Sequence, residues 1–359
     1  MSTTPPGPGL IDRPELLTAE WVTAALVAAG TPVELAGIDV ALVGTGQMGV
    51  SARIVLHHQA GSSGPATVVA KFPAPDPEVR GLAAGAYRSE LDFYRAIAPT
   101  VAVSTPAHLY SAANDDGSDF VLLMSDAAPA VQGDQLAGCD EPAARAALVN
   151  LAGLHGPRWC DPSLGQLGFM DLTDEGLAML DAVYGDATGR FVDLYGDRLG
   201  SGDAELLRDV AAAVADWLRR SPARSSVLHG DYRLDNLLFD PRSGAERPVV
   251  AVDWQTVGVG LPGRDVAYFL ETSLVPDDRR AHERSLVEAY HDALVGHGVA
   301  DHPLDECWHD YRYGAVQGPL VTVLGAAYSQ RTDRGDDMFV AMATRSCEAI
   351  RDLGTLDLI

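Results

Sequence analysis

Cysteine is scarce in this sequence. The four that occur, Cys139, Cys160, Cys307 and Cys347, lie far apart with no C-x-x-C pair, which argues against a zinc site and a disulfide scaffold. Basic residues are few too: 26 against 50 acidic, a net charge of −24. A field of that sign repels phosphate backbones and anionic membranes, so neither nucleic acid nor a membrane is an expected partner. No apolar run approaches the length of a membrane-spanning helix. The stretch Met1-Ser2-Thr3-Thr4-Pro5-Pro6 lacks the charged-then-apolar order of a secretory signal. Internal repeats and low-complexity tracts are absent as well. A soluble, cytoplasmic protein is expected.

What is present is ordinary globular composition. Over 359 residues, 47% are apolar and 21% charged, enough for a large core in one bilobal enzyme or two domains. Much of the apolar fraction is alanine, which suits a helix-rich half. The acidic balance reads as a solubilising surface; it also favours a cationic small molecule over an anionic one.

The stretch with the most chemistry is Val227-Leu228-His229-Gly230-Asp231-Tyr232-Arg233-Leu234-Asp235-Asn236-Leu237-Leu238-Phe239, followed by Val249-Val250-Ala251-Val252-Asp253-Trp254-Gln255. Each sets a carboxylate or amide on a turn beside an apolar, β-prone run. Asp and Asn singly are common turn residues. The ordered set is more telling. Phosphoryl transfer needs a carboxylate for the acceptor hydroxyl's proton and oxygen-bearing side chains for Mg²⁺. Asp231 fits the first role, and Asn236 and Asp253 fit the second. The H-x-D-x-x-x-x-N spacing follows kinase catalytic-loop logic, with Gly230 where protein kinases carry arginine.

On these residues the chain resembles the aminoglycoside phosphotransferase and choline kinase-like small-molecule kinases, a large phosphotransferase enzyme group. Asp253-Trp254-Gln255 and Gly263-Arg264-Asp265-Val266-Ala267-Tyr268-Phe269-Leu270 are similar to the branch that includes ecdysteroid-kinase-like proteins. The resemblance spans roughly residues 44–270 and is weakest beyond. It implies an α+β, two-lobed protein kinase-like fold. A small N-terminal lobe of antiparallel sheet plus helix would precede a larger, mostly helical C-terminal lobe. It also implies ATP with Mg²⁺ as cofactors and a small-molecule, hydroxyl-bearing acceptor as partner.

Along the N-terminal part, Trp21, Ala25 and Ala28 predict a short helix capped by Thr18 and stopped by Gly30. Three β-prone runs follow, at 38–43, 51–57 and 67–72. Gly44-Thr45-Gly46-Gln47-Met48-Gly49 matches G-x-G-x-x-G, a weak signal alone. A dinucleotide site needs a helix next, yet 50–56 reads as a strand. Strand, glycine loop, strand is the pattern of a loop whose backbone covers nucleotide phosphates, with Gly44, Gly46 and Gly49 allowing close approach. Lys71 interrupts the strand Val68-Val69-Ala70-Lys71-Phe72, an expensive place for an ammonium without an anionic partner. Helical spacing over 83–98 places Glu90 as that partner, with Glu78 as rival. A hairpin follows at 108–113 and 120–124, and residues 124–127 are the expected hinge. The expected division is 1–125, a nucleotide-binding lobe, and 126–359, a catalytic and acceptor-binding lobe.

Beyond the hinge, helices are expected at 143–155, over part of 174–192 and at 204–219. His155, at a helix end, reads as a core residue. Asp265 reads as structural, at a helix start where a carboxylate is favoured. Residues 277–352 read as three helices walling the acceptor pocket, where Asp310, Tyr311, Tyr313 and Tyr328 are equally core or pocket candidates. His229 reads as bracing the loop; Arg233 either braces Asp231 or meets the transferred phosphate.

The departures also inform. Trp254-Gln255 replaces Phe-Gly after the metal aspartate and no Ala-Pro-Glu segment follows, which weighs against a protein substrate. Gln255 stands where many choline kinases carry glutamate, which weakens choline as acceptor. A sugar, steroid-like alcohol, amino alcohol, aminoglycoside or nucleoside remains open. The competing class, a nucleotide-binding pseudokinase or scaffold, predicts a missing base or metal ligand, and none is missing.

Overall fold

The computed structural model describes residues 7–44, 48–166, 174–242 and 244–359. The chain divides into two compact units. The first comprises residues 1–99, 105–128 and 253–255; the second comprises 100–104, 129–252 and 256–359.

In the first unit, helix α1 (Ala19–Ala28) starts where the Thr18 side chain accepts from the Trp21 N–H and ends before Gly30, whose φ is +80°. Strands β1 (Leu35–Val43), β2 (Gly49–His58) and β3 (Thr67–Pro73) follow, then helix α2 (Pro77–Asp92) and the hairpin β4 (His108–Ala113) and β5 (Phe120–Ser125). They form one antiparallel sheet in the order β1-β2-β3-β5-β4. Alternation along β2 and β3 buries Ala52, Ile54, Leu56, Val68, Ala70 and Phe72 on one face. Trp21, Val22, Ala25 and Leu26 of α1 close that core.

Helix α2 begins six residues before the expected 83, with Asp76 as its cap and Pro77 at its first position. Its first turns face solvent, Leu82 being 89% exposed, and burial begins at Ala83. The apolar periodicity therefore becomes readable only from there. After Asp92 the helix continues as a π-type turn, Phe93–Ile97.

The second unit is mostly helical. In chain order it holds β6 (Val131–Gln132), α3 (Glu141–His155), α4 (Asp174–Tyr195), α5 (Asp203–Arg219), β7 (Ser226–Leu228), β8 (Leu237–Phe239), β9 (Val249–Ala251), β10 (Gly258–Gly260) and α6 (Gly263–Ser273). Helices α7 (Pro276–Gly296), α8 (Leu304–Gly314), α9 (Gln317–Tyr328) and α10 (Asp333–Leu353) complete it. Four helices thus stand where three were expected, the extra break falling between Gly314 and Gln317. Beside that break α6 and α8 pack tightly: a Cβ on Gly314 would lie 2.3 Å from the Gly263 carbonyl, and one on Gly263 would lie 2.3 Å from the Asp310 carbonyl. Only glycines let α6 and α8 meet so closely. Short antiparallel pairings, β6-β8-β9 and β7-β10, frame the segment 229–236.

Candidate active site

Within the first unit, Lys71 lies on the β3 face opposite Val68, Ala70 and Phe72. Its Nζ is 2.7 Å from Glu90 Oε2 and 3.1 Å from Asp253 Oδ1. Glu90 is the expected partner on α2; Glu78 stays exposed in the first turn. Burial alone would lower the Lys71 ammonium, but the Asp253 and Glu90 carboxylates overcome it and hold the ammonium above its usual range. Burial, helped by the Asp253 charge, holds the Glu90 carboxyl above its usual range despite the Lys71 ammonium.

Asp253 has φ +65°, the left-handed region that non-glycine residues avoid. The next residue helps to hold it there. The Trp254 ring stacks on Phe93 at 3.6 Å, its Nε1–H donates to Thr105 Oγ1 at 3.0 Å, and its backbone N–H lies 3.4 Å from Glu90 Oε1. Of the glycine loop, Gly44 has φ +77°. At Gly49 a Cβ would lie 2.7 Å from the Phe72 carbonyl, so strand pairing itself demands glycine there. Gly46 lies outside the described residues.

Within the second unit, the loop after β7 is built from one buried carboxylate. Asp265, in the first turn of α6, accepts from the His229 N–H at 2.6 Å and the Gly230 N–H at 3.0 Å. Burial would raise it, but hydrogen bonds and charge from His155 and the loop hold it below its usual range. His155 is buried, within 3.4 Å of Asp265 Oδ2 and 2.7 Å of the Tyr290 hydroxyl, the structural role expected of it. Gly230 has φ +81°, and a Cβ there would lie 2.4 Å from the Thr256 carbonyl. His229 Nε2 sits 3.0 Å from the Val252 carbonyl, so its Nδ1 is left to accept from the Asp231 N–H at 3.3 Å.

These contacts present the Asp231 carboxylate to three side chains. Tyr268 OH donates to Oδ1 at 2.6 Å, Asn236 Nδ2 donates to Oδ2 at 2.8 Å, and Arg233 Nε bridges both oxygens at 3.1 and 3.2 Å. Arg233 therefore braces Asp231 here. Asn236 Nδ2 also donates to the Asp231 carbonyl at 2.9 Å, which leaves its Oδ1 as the oxygen donor. Asp310, Tyr311 and Tyr313 are buried core groups, bonded to Arg224, Glu283 and the Trp217 carbonyl, whereas Tyr328 is exposed.

Tyr268, Trp254 and Thr256 were given no role at the site by the sequence reading. Tyr268 had one signal: it lies three residues after Asp265, on the same face of a helix. A further signal concerns Lys71, which is the only lysine among 359 residues, against 25 arginines. Among the described residues no three His, Cys, Asp or Glu side chains cluster for a metal, and no helix is long and apolar enough to cross a membrane.

Comparison with known proteins bears on the fold and on the family. Choline kinase from Cryptosporidium parvum Iowa II superposes with a TM-score of 0.56 at 10% identity, covering 89% of this chain and 92% of that one. The GDP complex of aminoglycoside 2'-phosphotransferase-IIIa gives 0.54 at 14%, covering 91% and 98%. At such identities the likeness shows the fold alone: α+β, kinase-like, a five-stranded antiparallel sheet with its helices and a larger helical part. The "Acyl-CoA dehydrogenase family member 11" of Pongo abelii is 32% identical over 60 residues, 16% of this chain. That match spans only 7% of the relative's length. The model of the Phosphotransferase enzyme family matches residues 47–302, and the chain belongs to that family.

Proposed function

We propose that this protein is an ATP- and Mg²⁺-dependent kinase that transfers the γ-phosphoryl group to a hydroxyl of a small molecule. Family membership supports small-molecule phosphotransfer; the residues supply the rest of the reading. The observation that carries it is the one lysine of a chain of net charge −24, fixed at 2.7 Å from Glu90 and 3.1 Å from Asp253. An acidic protein that binds a polyphosphate needs a local cation, and Lys71 is that cation.

In this reading, residues 1–125 bind the nucleotide and 126–359 carry catalysis and the acceptor, with Asp253–Gln255 grouped with the first. Lys71, steadied by Glu90, grips phosphate oxygens, and the backbone around Gly44, Gly46 and Gly49 covers them. Asn236 Oδ1 and the Asp253 carboxylate are hard oxygen donors of the kind Mg²⁺ prefers. Bound there, Mg²⁺ would neutralise charge on the nucleotide phosphates. Asp231 orients the acceptor hydroxyl and takes its proton. His229 and Asp265 hold the loop, so that catalysis rests on positioning and charge stabilisation. An inert nucleotide-binding scaffold would lack Asp231, Asn236 or Asp253; all three are present. ATP supply makes the cytoplasm the expected setting.

The test is ATP consumption by the purified protein with Mg²⁺ against aminoglycosides, amino alcohols, sugars, nucleosides and steroid-like alcohols. Consumption with one class, lost in Asp231→Asn, supports the reading. Nucleotide binding without turnover on any compound points to a scaffold, and no nucleotide binding overturns the kinase reading.

A further inference from the structure

From the geometry of helix α6 we infer that Tyr268 is a positioning residue for phosphoryl transfer, fixing the plane of the Asp231 carboxylate in which the acceptor hydroxyl is received. The inference rests on the reading of Asp231 as the base. Asp265 and Tyr268 are one turn apart on one face of α6. The first holds the backbone of His229 and Gly230, and the second reaches the carboxylate of the next residue at 2.6 Å. One helix thus sets both the path of the loop and the orientation of its terminal group. That helix is a firm support: every residue from Asp265 to Ser273 is buried, and Gly263 is pressed against α8.

A carboxylate is free to rotate unless both oxygens are held, and it can accept about four hydrogen bonds. Here Oδ1 takes Tyr268 OH and Arg233 Nε, and Oδ2 takes Asn236 Nδ2 and the same Arg233 Nε. The Arg233 contact is the longest, at 3.1 and 3.2 Å, and is shared between the oxygens. It is therefore the contact exchanged for the acceptor hydroxyl, while Tyr268 and Asn236 keep the plane fixed. The titratable groups facing the phenol are Asp231 and Arg233 from the loop and Glu271 from its own helix. Without the phenol hydroxyl, Arg233 is free to draw the carboxylate out of its productive plane.

The test is a double-mutant cycle of Tyr268→Phe and Asp231→Asn in the full-length protein. It is read with the fastest acceptor of the panel and, in parallel, as phosphate release from Mg²⁺–ATP with water as acceptor. Tyr268→Phe is expected to lower kcat about tenfold, with acceptor KM and nucleotide Kd within about twofold of wild type. Asp231→Asn is expected to lower kcat roughly 10²-fold, and the double variant no further. Wild-type kcat in Tyr268→Phe overturns the inference while leaving Asp231 as base. A Tyr268→Phe loss that multiplies in full onto Asp231→Asn also overturns it, since the phenol then acts by another route. Near-normal turnover in Asp231→Asn overturns the base assignment, and with it the role of Tyr268. If Tyr268→Phe melts, a fluorinated tyrosine at 268, which keeps the shape and strengthens the donor, is expected to change kcat; an unchanged kcat counts against the inference.

Discussion

Lys71 and Asp253, 182 residues apart in sequence, are in ionic contact at 3.1 Å, and the same ammonium is 2.7 Å from Glu90. One cation thus separates two carboxylates. The Glu90 side chain is 2% exposed and that of Lys71 is 12% exposed, whereas that of Asp253 is 42% exposed. The energetic weight therefore lies on Glu90.

Lys71→Met removes the ammonium paired with Glu90. Stability is expected to fall by about 3 kcal/mol, the usual cost of breaking a buried pair from one side. Lys71→Met/Glu90→Gln should recover part of that, since the stranded charge is gone. Urea denaturation of the three proteins checks it; a single variant with the wild-type midpoint would contradict the pairing.

Gly230 is constrained twice, by its φ of +81° and by the Thr256 carbonyl 2.4 Å from where a Cβ would stand. Gly230→Ala is expected to cost about 2 kcal/mol or more, with the loop displaced and turnover lost. A folded Gly230→Ala protein with wild-type melting temperature and activity would show that the loop conformation is not what the site requires.

Glu271, one turn beyond Tyr268, is fully buried, and burial pushes its carboxyl well above its usual value of 4.5; Arg279 and the Gly318 N–H offset only part. The folded protein therefore holds this proton more tightly than the unfolded chain. Its contribution is complete below pH 4.5 and is lost as pH rises from there toward the raised value of the folded state. Glu271→Gln should melt with a flatter profile between mildly acidic and mildly alkaline pH than wild type. Parallel profiles for the two proteins would mean that Glu271 is ionised in the fold.

The local parts of this architecture were legible. The Thr18 cap, the sheet strands and the order His229, Asp231, Asn236, Asp253 are written within short windows. The long-range partners were not. Tyr268 reads as one more core aromatic in Val266-Ala267-Tyr268-Phe269, and nothing nearby shows that its hydroxyl meets a residue 37 positions earlier. The early start of α2 was hidden because its first turns bury nothing. The close packing of α6 on α8 depends on Gly263 and Gly314, whose contact spans distant parts of the chain. Asp265 was read as favouring its own helix start; in the fold its oxygens serve the backbone of another segment.

The most direct measurement uses the single lysine. An acyl phosphate of ATP transfers its acyl group to a nearby amine, and in this chain the only lysine it can modify is Lys71. Peptide mass spectrometry then reads one site. Acylation of Lys71 is expected, suppressed by Mg²⁺–ATP and far less by AMP. Acylation at Lys71 that excess Mg²⁺–ATP leaves unchanged would contradict nucleotide binding at this site, and with it the kinase assignment.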